Sequence, residues 1–411
     1  MTLKTHCKPR QSVFDRNRRD IVLDLSDFLE GKIEGEKFFE ENFITGGMKT
    51  LFEKTFARLE NRGDQASTFL LTQSMGGGKT HNMIALGLLA KNPALREKVL
   101  GKGGYGSKVG GVRVIGFHGR QTDAQFGIWG ELADQLGKKD VFKDYYQPLQ
   151  APGQSAWINL LKGEPTLIFL DELPPYLEAV QAKSIGSTTL STVTATAIAN
   201  LLVAVNKAEL SNVCVVIADL TASWQTGGAM LNTALDNLKN ETSRSALRIE
   251  PVSSQGEELY HILRTRLFQT LPDQSVRTEV ANAYALAVKA AREMDVTNHS
   301  PDSFAAQLSE SYPFHFGLRD LYARFKENPG FQQTRGLIRL MRMVVSNLWE
   351  TGQADKLQLI HPYNLDLNSD EIVSEIRSIN PSLSEAISHD IANSGHSVAE
   401  DIDTKYNCTD A

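Results

Sequence analysis

Two hydrophobic periodicities divide this chain. Up to about residue 66 the pattern is mostly helical. After Ile44 and the punctuating pair Gly46-Gly47, Met48, Leu51, Phe52, Phe56 and Leu59 line one face of a predicted amphipathic helix. The texture then changes to short apolar runs at 68–72 (TFLLT), 112–117 (VRVIGF), 166–170 (TLIFL), 213–218 (VCVVIA) and 246–250 (ALRIE). Helix-like stretches at 80–90, 126–136 and 192–208 lie between them. Near-continuous apolar strands joined through helices predict an α/β fold whose five-stranded parallel sheet is covered on both faces.

From 256 to about 351 the strand pattern stops and segments such as EELYHILRTRLFQTL and TRGLIRLMRMVVSNLWE read as helices. Four segments follow: an N-terminal arm and helical lead-in (1–39), an α/β core (40–255), a helical lid (256–351), and an acidic, partly disordered end (352–411).

Composition narrows the function classes. Apolar residues are 41% and charged residues 22% of 411, ordinary globular usage, which excludes wholesale disorder. Acids outnumber Lys and Arg by 49 to 43, and ten of those acids, against two bases, lie from Asn364 onward. The rest is close to neutral, so electrostatics alone makes no case for nucleic acid. The basic start (Lys4, Lys8, Arg10, Arg16, Arg18, Arg19) is expected to be a mobile, solvated arm. It contains no apolar leader, and the longest apolar stretch is far short of the ~20 residues a membrane span needs. Three scattered cysteines, Cys7, Cys214 and Cys408, form no CxxC pair. The expectation is a reduced, cytoplasmic protein with no membrane segment.

One segment carries most of the chemistry: LLTQSMGGGKTHNMIALGLLA, residues 70–90. A strand runs into Gly76, Gly77 and Gly78, then Lys79 and Thr80 open a helix. Glycines let backbone N–H groups turn inward around phosphate oxygens, which side chains would block. Lys79 would reach the β- and γ-phosphates, the Thr80 hydroxyl would ligate Mg²⁺, and the positive end of the helix would face the same anion. Gln73 stands where the GxxxxGK[ST] pattern has its first glycine, and the two extra glycines offset that departure.

The expected partner is TLIFLDELPPYLE, an apolar strand ending in Asp171-Glu172. Asp171 would hold Mg²⁺ through water, and Glu172 would orient and deprotonate the attacking water. A capped strand end is the plainer reading of the same residues.

Other positions carry two readings each. The fourth strand ends in Asp219, Thr221 and Ser223; Asp219 is the first choice to sense the γ-phosphate, or these residues simply cap the strand. Arg244 could reach a neighbouring subunit's γ-phosphate as a finger in a homo-oligomer, or pair with Glu241 on the surface; Arg248 belongs within the fifth strand. Arg335, Arg339 and Arg342 share a helical flank in TRGLIRLMR, where Arg335 and Arg339 would sense nucleotide or form a solvated basic face. Phe117 and Trp129 are expected in the core.

With these residues in place the chain resembles additional-strand, AAA+-like P-loop ATPases. It is similar to the bacterial family catalogued as domain of unknown function 499, over roughly residues 8–390. The resemblance rests on QSMGGGKTHNMIALGLLA, LIFLDE, ETSRSALRIEPV, RTRLF, YPFHFGLRDLYARF and GFQQTRGLIRLM. It implies an ATPase akin to origin-recognition (ORC-type) enzymes, with ATP and Mg²⁺ held through Lys79, Thr80, Asp171 and Glu172 and with Arg244, Arg335 and Arg339 beside them; His81, next to the glycine turn, is a further candidate nucleotide contact. It also implies anti-phage or restriction-like clusters with DNA methyltransferase and helicase partners. Members are commonly longer, so a truncated or split form is a further expectation. The expected function is Mg-ATP hydrolysis coupled to conformational change. A nucleotide-dependent switch without hydrolysis and a DNA-contacting motor are the alternatives.

Overall fold

The computed structural model describes residues 2–15, 23–61, 65–72, 76–120, 123–218, 246–252, 258–326 and 328–408. Helix α1 (Gly46–Leu59) begins at Thr45, whose hydroxyl accepts the Met48 N–H, and it buries the predicted apolar face. Strand β1 (Thr68–Leu71) leads towards helix α2 (Lys79–Lys91). Strand β2 (Arg113–His118) and strand β3 (Thr166–Asp171) follow, then helices α3 (Leu173–Ala179) and α4 (Leu190–Val205). Strands β4 (Val213–Ala218) and β5 (Ala246–Ile249) complete a mixed α/β unit.

The five strands form one all-parallel sheet in the order β2-β3-β4-β1-β5. Side chains alternate across it, so the continuous apolar runs supply two cores. Leu70, Ile115, Phe117, Ile168, Leu170, Val215 and Ile217 face one layer with Trp129, Trp157 and the α4 residues Ile198, Leu201 and Leu202. Phe69, Leu71, Leu167, Phe169, Cys214 and Val216 face the other, against α1 and α2. In this order the chain leaves β1 for the far edge and returns through β3 and β4. The carboxyl ends of β1 and β3 therefore flank a topological switch point, where open α/β sheets bind ligands.

Beyond β5 the chain is largely helical. Helices α5 (Leu259–Leu267), α6 (Gln274–Glu293), α7 (Pro301–Ser311), α8 (Gln333–Glu350) and α9 (Asp370–Ile379) build a second core around Leu263, Leu267, Leu337, Met341, Val344 and Ile372.

Two expectations are corrected. The start of the chain is not a solvated arm: Leu3, Cys7 and Val13 are buried in this second core, and Lys8–Pro9 pairs antiparallel with Phe268–Thr270. Lys4 pairs with Asp355 at 2.6 Å, and Arg10 donates to the carbonyls of Thr265 (2.9 Å) and Glu40 (2.7 Å). Arg16, Arg18 and Arg19 lie outside the described residues. Near the other end, where partial disorder was expected, Val398–Tyr406 is a helix. The Ser397 hydroxyl accepts the Glu400 N–H (3.3 Å) while the Glu400 carboxylate accepts the Ser397 N–H (3.0 Å), a reciprocal cap. Among the described residues no helix is long and apolar enough to cross a membrane. The three cysteines are unpaired thiols, two buried and Cys408 exposed.

Candidate functional site

The glycine-rich turn sits at the carboxyl end of β1. Gly76 and Gly78 take left-handed backbone conformations (φ 84° and 88°), and Gly78 caps the start of α2, so Lys79 and Thr80 form its first turn. A Cβ on Gly76 would overlap the Gln332 carbonyl, so the loop lies directly against the chain entering α8. Gln73 lies outside the described residues.

Across the switch point, β3 delivers the two acids. The Thr80 hydroxyl donates to Asp171 Oδ2 at 2.6 Å, joining the first turn of α2 to the end of β3. Asp171 is 1% exposed, and its carboxyl is held above the usual range chiefly by burial. The hydrogen bonds it accepts from Thr80 and from the Glu172 N–H, and the nearby His118, oppose that rise; the Glu172 charge adds to it. Glu172 itself takes a left-handed conformation (φ 48°) that ends the strand and starts α3 at once, with prolines in the first turn. Its carboxylate accepts from Arg120 Nε at 2.6 Å. The close turn depends on Gly119, where any Cβ would overlap the Glu172 carbonyl.

One hydroxyl and one carboxylate oxygen meeting at the mouth of a glycine turn suit a hard cation such as Mg²⁺. Among the described residues no group of three or more His, Cys, Asp or Glu side chains is placed to hold a metal. An ion here would complete its shell with water and phosphate oxygens.

Two family models match the chain: the DUF499 N-terminal domain over residues 121–247 and the DUF499 second domain over residues 254–397. Together they cover well over half of it. The chain belongs to the DUF499 family. No curated protein matches it. Asp171 and Glu172 fall within the DUF499 N-terminal domain and the α8 arginines within the DUF499 second domain, whereas Gly76–Thr80 precedes both matched ranges.

The DUF499 second domain places the charge of one arginine near the loop and pairs another with an acid of its own. Arg335, in the first turns of α8, makes no hydrogen bond or ion pair among the described residues, and its charge acts on His81. Arg339, expected to sense nucleotide, is instead engaged by Glu375 of α9 at 2.6 Å. His81, expected among the nucleotide contacts, is half-buried with its ring 4.6 Å from that of Phe38. Burial first, then Arg266 and Arg335, pushes its pKa down to about 3, so it is a neutral packing group beside Thr80. Asp219 and Arg244 lie outside the described residues; Arg248 lies within β5. Phe117 and Trp129 are core residues.

Arg120 was missed from sequence, because an isolated arginine two residues past a strand has no pattern that separates it from surface charge. His118, at the end of β2 in register with Asp171, has a readable signal only in its place after an apolar strand. A hollow of about 490 Å³ opens elsewhere, lined by Glu60, Lys108, Pro165 and Asn212 at the amino ends of the strands. It contains none of these groups and lies at the wrong end of a parallel sheet for a switch-point ligand.

Proposed function

We propose that the chain is a P-loop ATPase of the additional-strand, AAA+-like class that binds Mg-ATP at Gly76–Thr80 and hydrolyses it. The observation that carries this reading is the 2.6 Å contact between Thr80 Oγ1 and Asp171 Oδ2. It joins the glycine turn after β1 to the acidic end of β3, with β4 lying between their strands. Backbone N–H groups of the turn and Lys79 would hold the phosphates. Thr80 and Asp171 would hold Mg²⁺, which when bound neutralises charge on the β- and γ-phosphates. Glu172 would orient the attacking water and take its proton, and Arg335 would approach the phosphates from α8. Because the Gln332 carbonyl rests on Gly76, a phosphate-induced shift of the turn would be felt at the start of α8.

The setting we propose is a cytoplasmic DNA-modification or anti-phage assembly with methyltransferase and helicase partners. It comes from the family resemblance and from no contact in this chain. The second reading, a nucleotide-dependent switch with negligible hydrolysis, is favoured by the Arg120–Glu172 ion pair, which occupies the base.

Phosphate release and calorimetric nucleotide binding test these readings together. Glu172→Gln should lower turnover by about 10²-fold or more while retaining binding, and Lys79→Ala should weaken binding itself. Equal turnover in wild type and Glu172→Gln would remove Glu172 from the chemistry. A wild-type chain that binds no nucleotide would end the proposal.

A further inference from the structure

Away from the phosphate loop, one stretch of the chain reverses the overall charge. No acid occurs between Glu97 and Asp123, whereas Lys98, Lys102, Lys108, Arg113 and Arg120 do, in a chain of net charge -6. Within it the segment 101–111 (GKGGYGSKVGG) joins the helix Pro93–Leu100 to the amino end of β2. Glycine gives a chain its greatest freedom, so a loop of this composition stays in one shape only if it is fastened. This one is. The N–H groups of Gly104, Ser107 and Val109 donate to the carbonyls of Gly101 (3.1 Å), Gly104 (3.2 Å) and Gly106 (3.1 Å), and the Lys108 N–H donates to Glu60 Oε1 at 2.8 Å. The buried Arg96 guanidinium donates to carbonyls alone: Leu89 near the end of α2 (3.2 Å), Gly110 (3.1 Å) and Val109. It lies 4.9 Å above the Phe56 ring. Burying a cation in this way is costly, and what it secures is the loop.

The side chains the loop displays recur every third residue. Lys102, Tyr105 and Lys108 are exposed, while a Cβ on Gly106 would overlap Phe56. Gly103 and Gly106, left-handed at φ 73° and 77°, bend the chain on either side of Tyr105. Tyr105 is the one exposed aromatic ring of the described α/β half, at 43%. Lys98 pairs with Glu36 (2.9 Å), Arg113 with Glu164 (3.2 Å) and Arg120 with Glu172. Lys102 and Lys108 make no ion pair among the described residues, so the unneutralised charge stands on either side of the ring.

We propose that this loop is a contact site for single-stranded nucleic acid, with a base stacked on Tyr105 and backbone phosphates on Lys102 and Lys108. A tyrosine face accepts any base and an ammonium takes a phosphate as a point charge, so the site holds a strand without reading its sequence. A duplex keeps its bases stacked on one another, out of reach of the ring. The loop lies at the amino ends of the strands, opposite Gly76–Thr80, and α2 spans the two: Lys79 and Thr80 open it, and the Leu89 carbonyl near its far end holds Arg96. The contact does not rest on the hydrolytic reading.

Fluorescence anisotropy on the full chain without nucleotide, using labelled thymidine and uridine oligomers of about 12 nucleotides, tests this. Wild type should bind with an affinity that falls as salt rises. Tyr105→Ala should weaken binding about tenfold or more with the slope of log K against log salt unchanged, and Tyr105→Phe should bind as wild type. Lys102→Gln combined with Lys108→Gln should flatten that slope by about 1.4, as expected for two single-strand phosphate contacts. All three side chains are exposed, so thermal melts and calorimetric nucleotide binding should match wild type in every variant. Tighter binding of the uridine oligomer assigns RNA as the ligand, and tighter binding of the thymidine oligomer assigns DNA. The site is overturned if wild type binds neither oligomer, if Tyr105→Ala and the double lysine variant keep wild-type affinity and slope, or if poly-glutamate displaces the label as well as unlabelled oligomer does. Each of these outcomes leaves the ATPase reading standing.

Discussion

His81 is half-buried and Asp171 buried beside Thr80, and the loss of water moves them in opposite directions. The histidine is driven to its neutral form by burial and by the charges of Arg266 and Arg335, and the aspartate is raised by burial against the hydrogen bonds it accepts. For His81 the unfolded ring takes up a proton near pH 6.5, whereas the folded ring resists until about 3. Its contribution to stability is complete above 6.5 and drains away as pH falls towards 3, about 2 kcal/mol of it by pH 5. His81→Phe keeps the contact with Phe38 and should flatten the fall in Tm between pH 7 and 5. His361, depressed to about 4 by burial and then by His315, would keep part of the slope. Identical falls in wild type and variant would show that its surroundings do not hold the His81 ring neutral. Lys79, Thr80 and Asp171 were legible from sequence because each belongs to a local pattern, a glycine turn or an apolar strand with an acidic end. Their 2.6 Å contact and the Arg120–Glu172 pair were not, since both are made by strand order and cross-strand register.

Elements meet at glycine 76. Alanine there would pay both for the left-handed backbone, about 1–2 kcal/mol, and for overlap with the Gln332 carbonyl. Gly352 is left-handed too (φ 75°, ψ 7°), and a Cβ there would meet only Asp355 Oδ2 at 3.9 Å, an ordinary contact, so Gly352→Ala carries only the first cost. Gly76→Ala should therefore lower Tm more and weaken nucleotide binding at least tenfold, while Gly352→Ala leaves binding as in wild type. Equal effects on calorimetric binding would mean that the contact with α8 is not coupled to the loop. The five strands were legible within a residue or two because burial on both faces leaves an unbroken apolar run. The pairing of Lys8–Pro9 with Phe268–Thr270 was not, because two or three residues show no period. Arg335 and Arg339 are four apart on one helical flank, so spacing could not tell the residue near the loop from the one held by Glu375.

On the scale of the whole molecule, residues 3–14 belong to the half built last. Leu3 is fully buried against helices beyond residue 258, and Leu3→Ala should cost about 2–5 kcal/mol in a thermal or denaturant melt. A chain that begins as a solvated arm would show no change. This closure has a bearing on biosynthesis. Leu3, Cys7 and Val13 cannot meet their partners until synthesis has passed residue 270, and the strands of the parallel sheet are all made in the interval with these three still wet. A fragment cut between β5 and α5 would separate Phe268–Thr270 from the two residues that complete its ribbon, so the helical half is not a module that can be lifted out by itself.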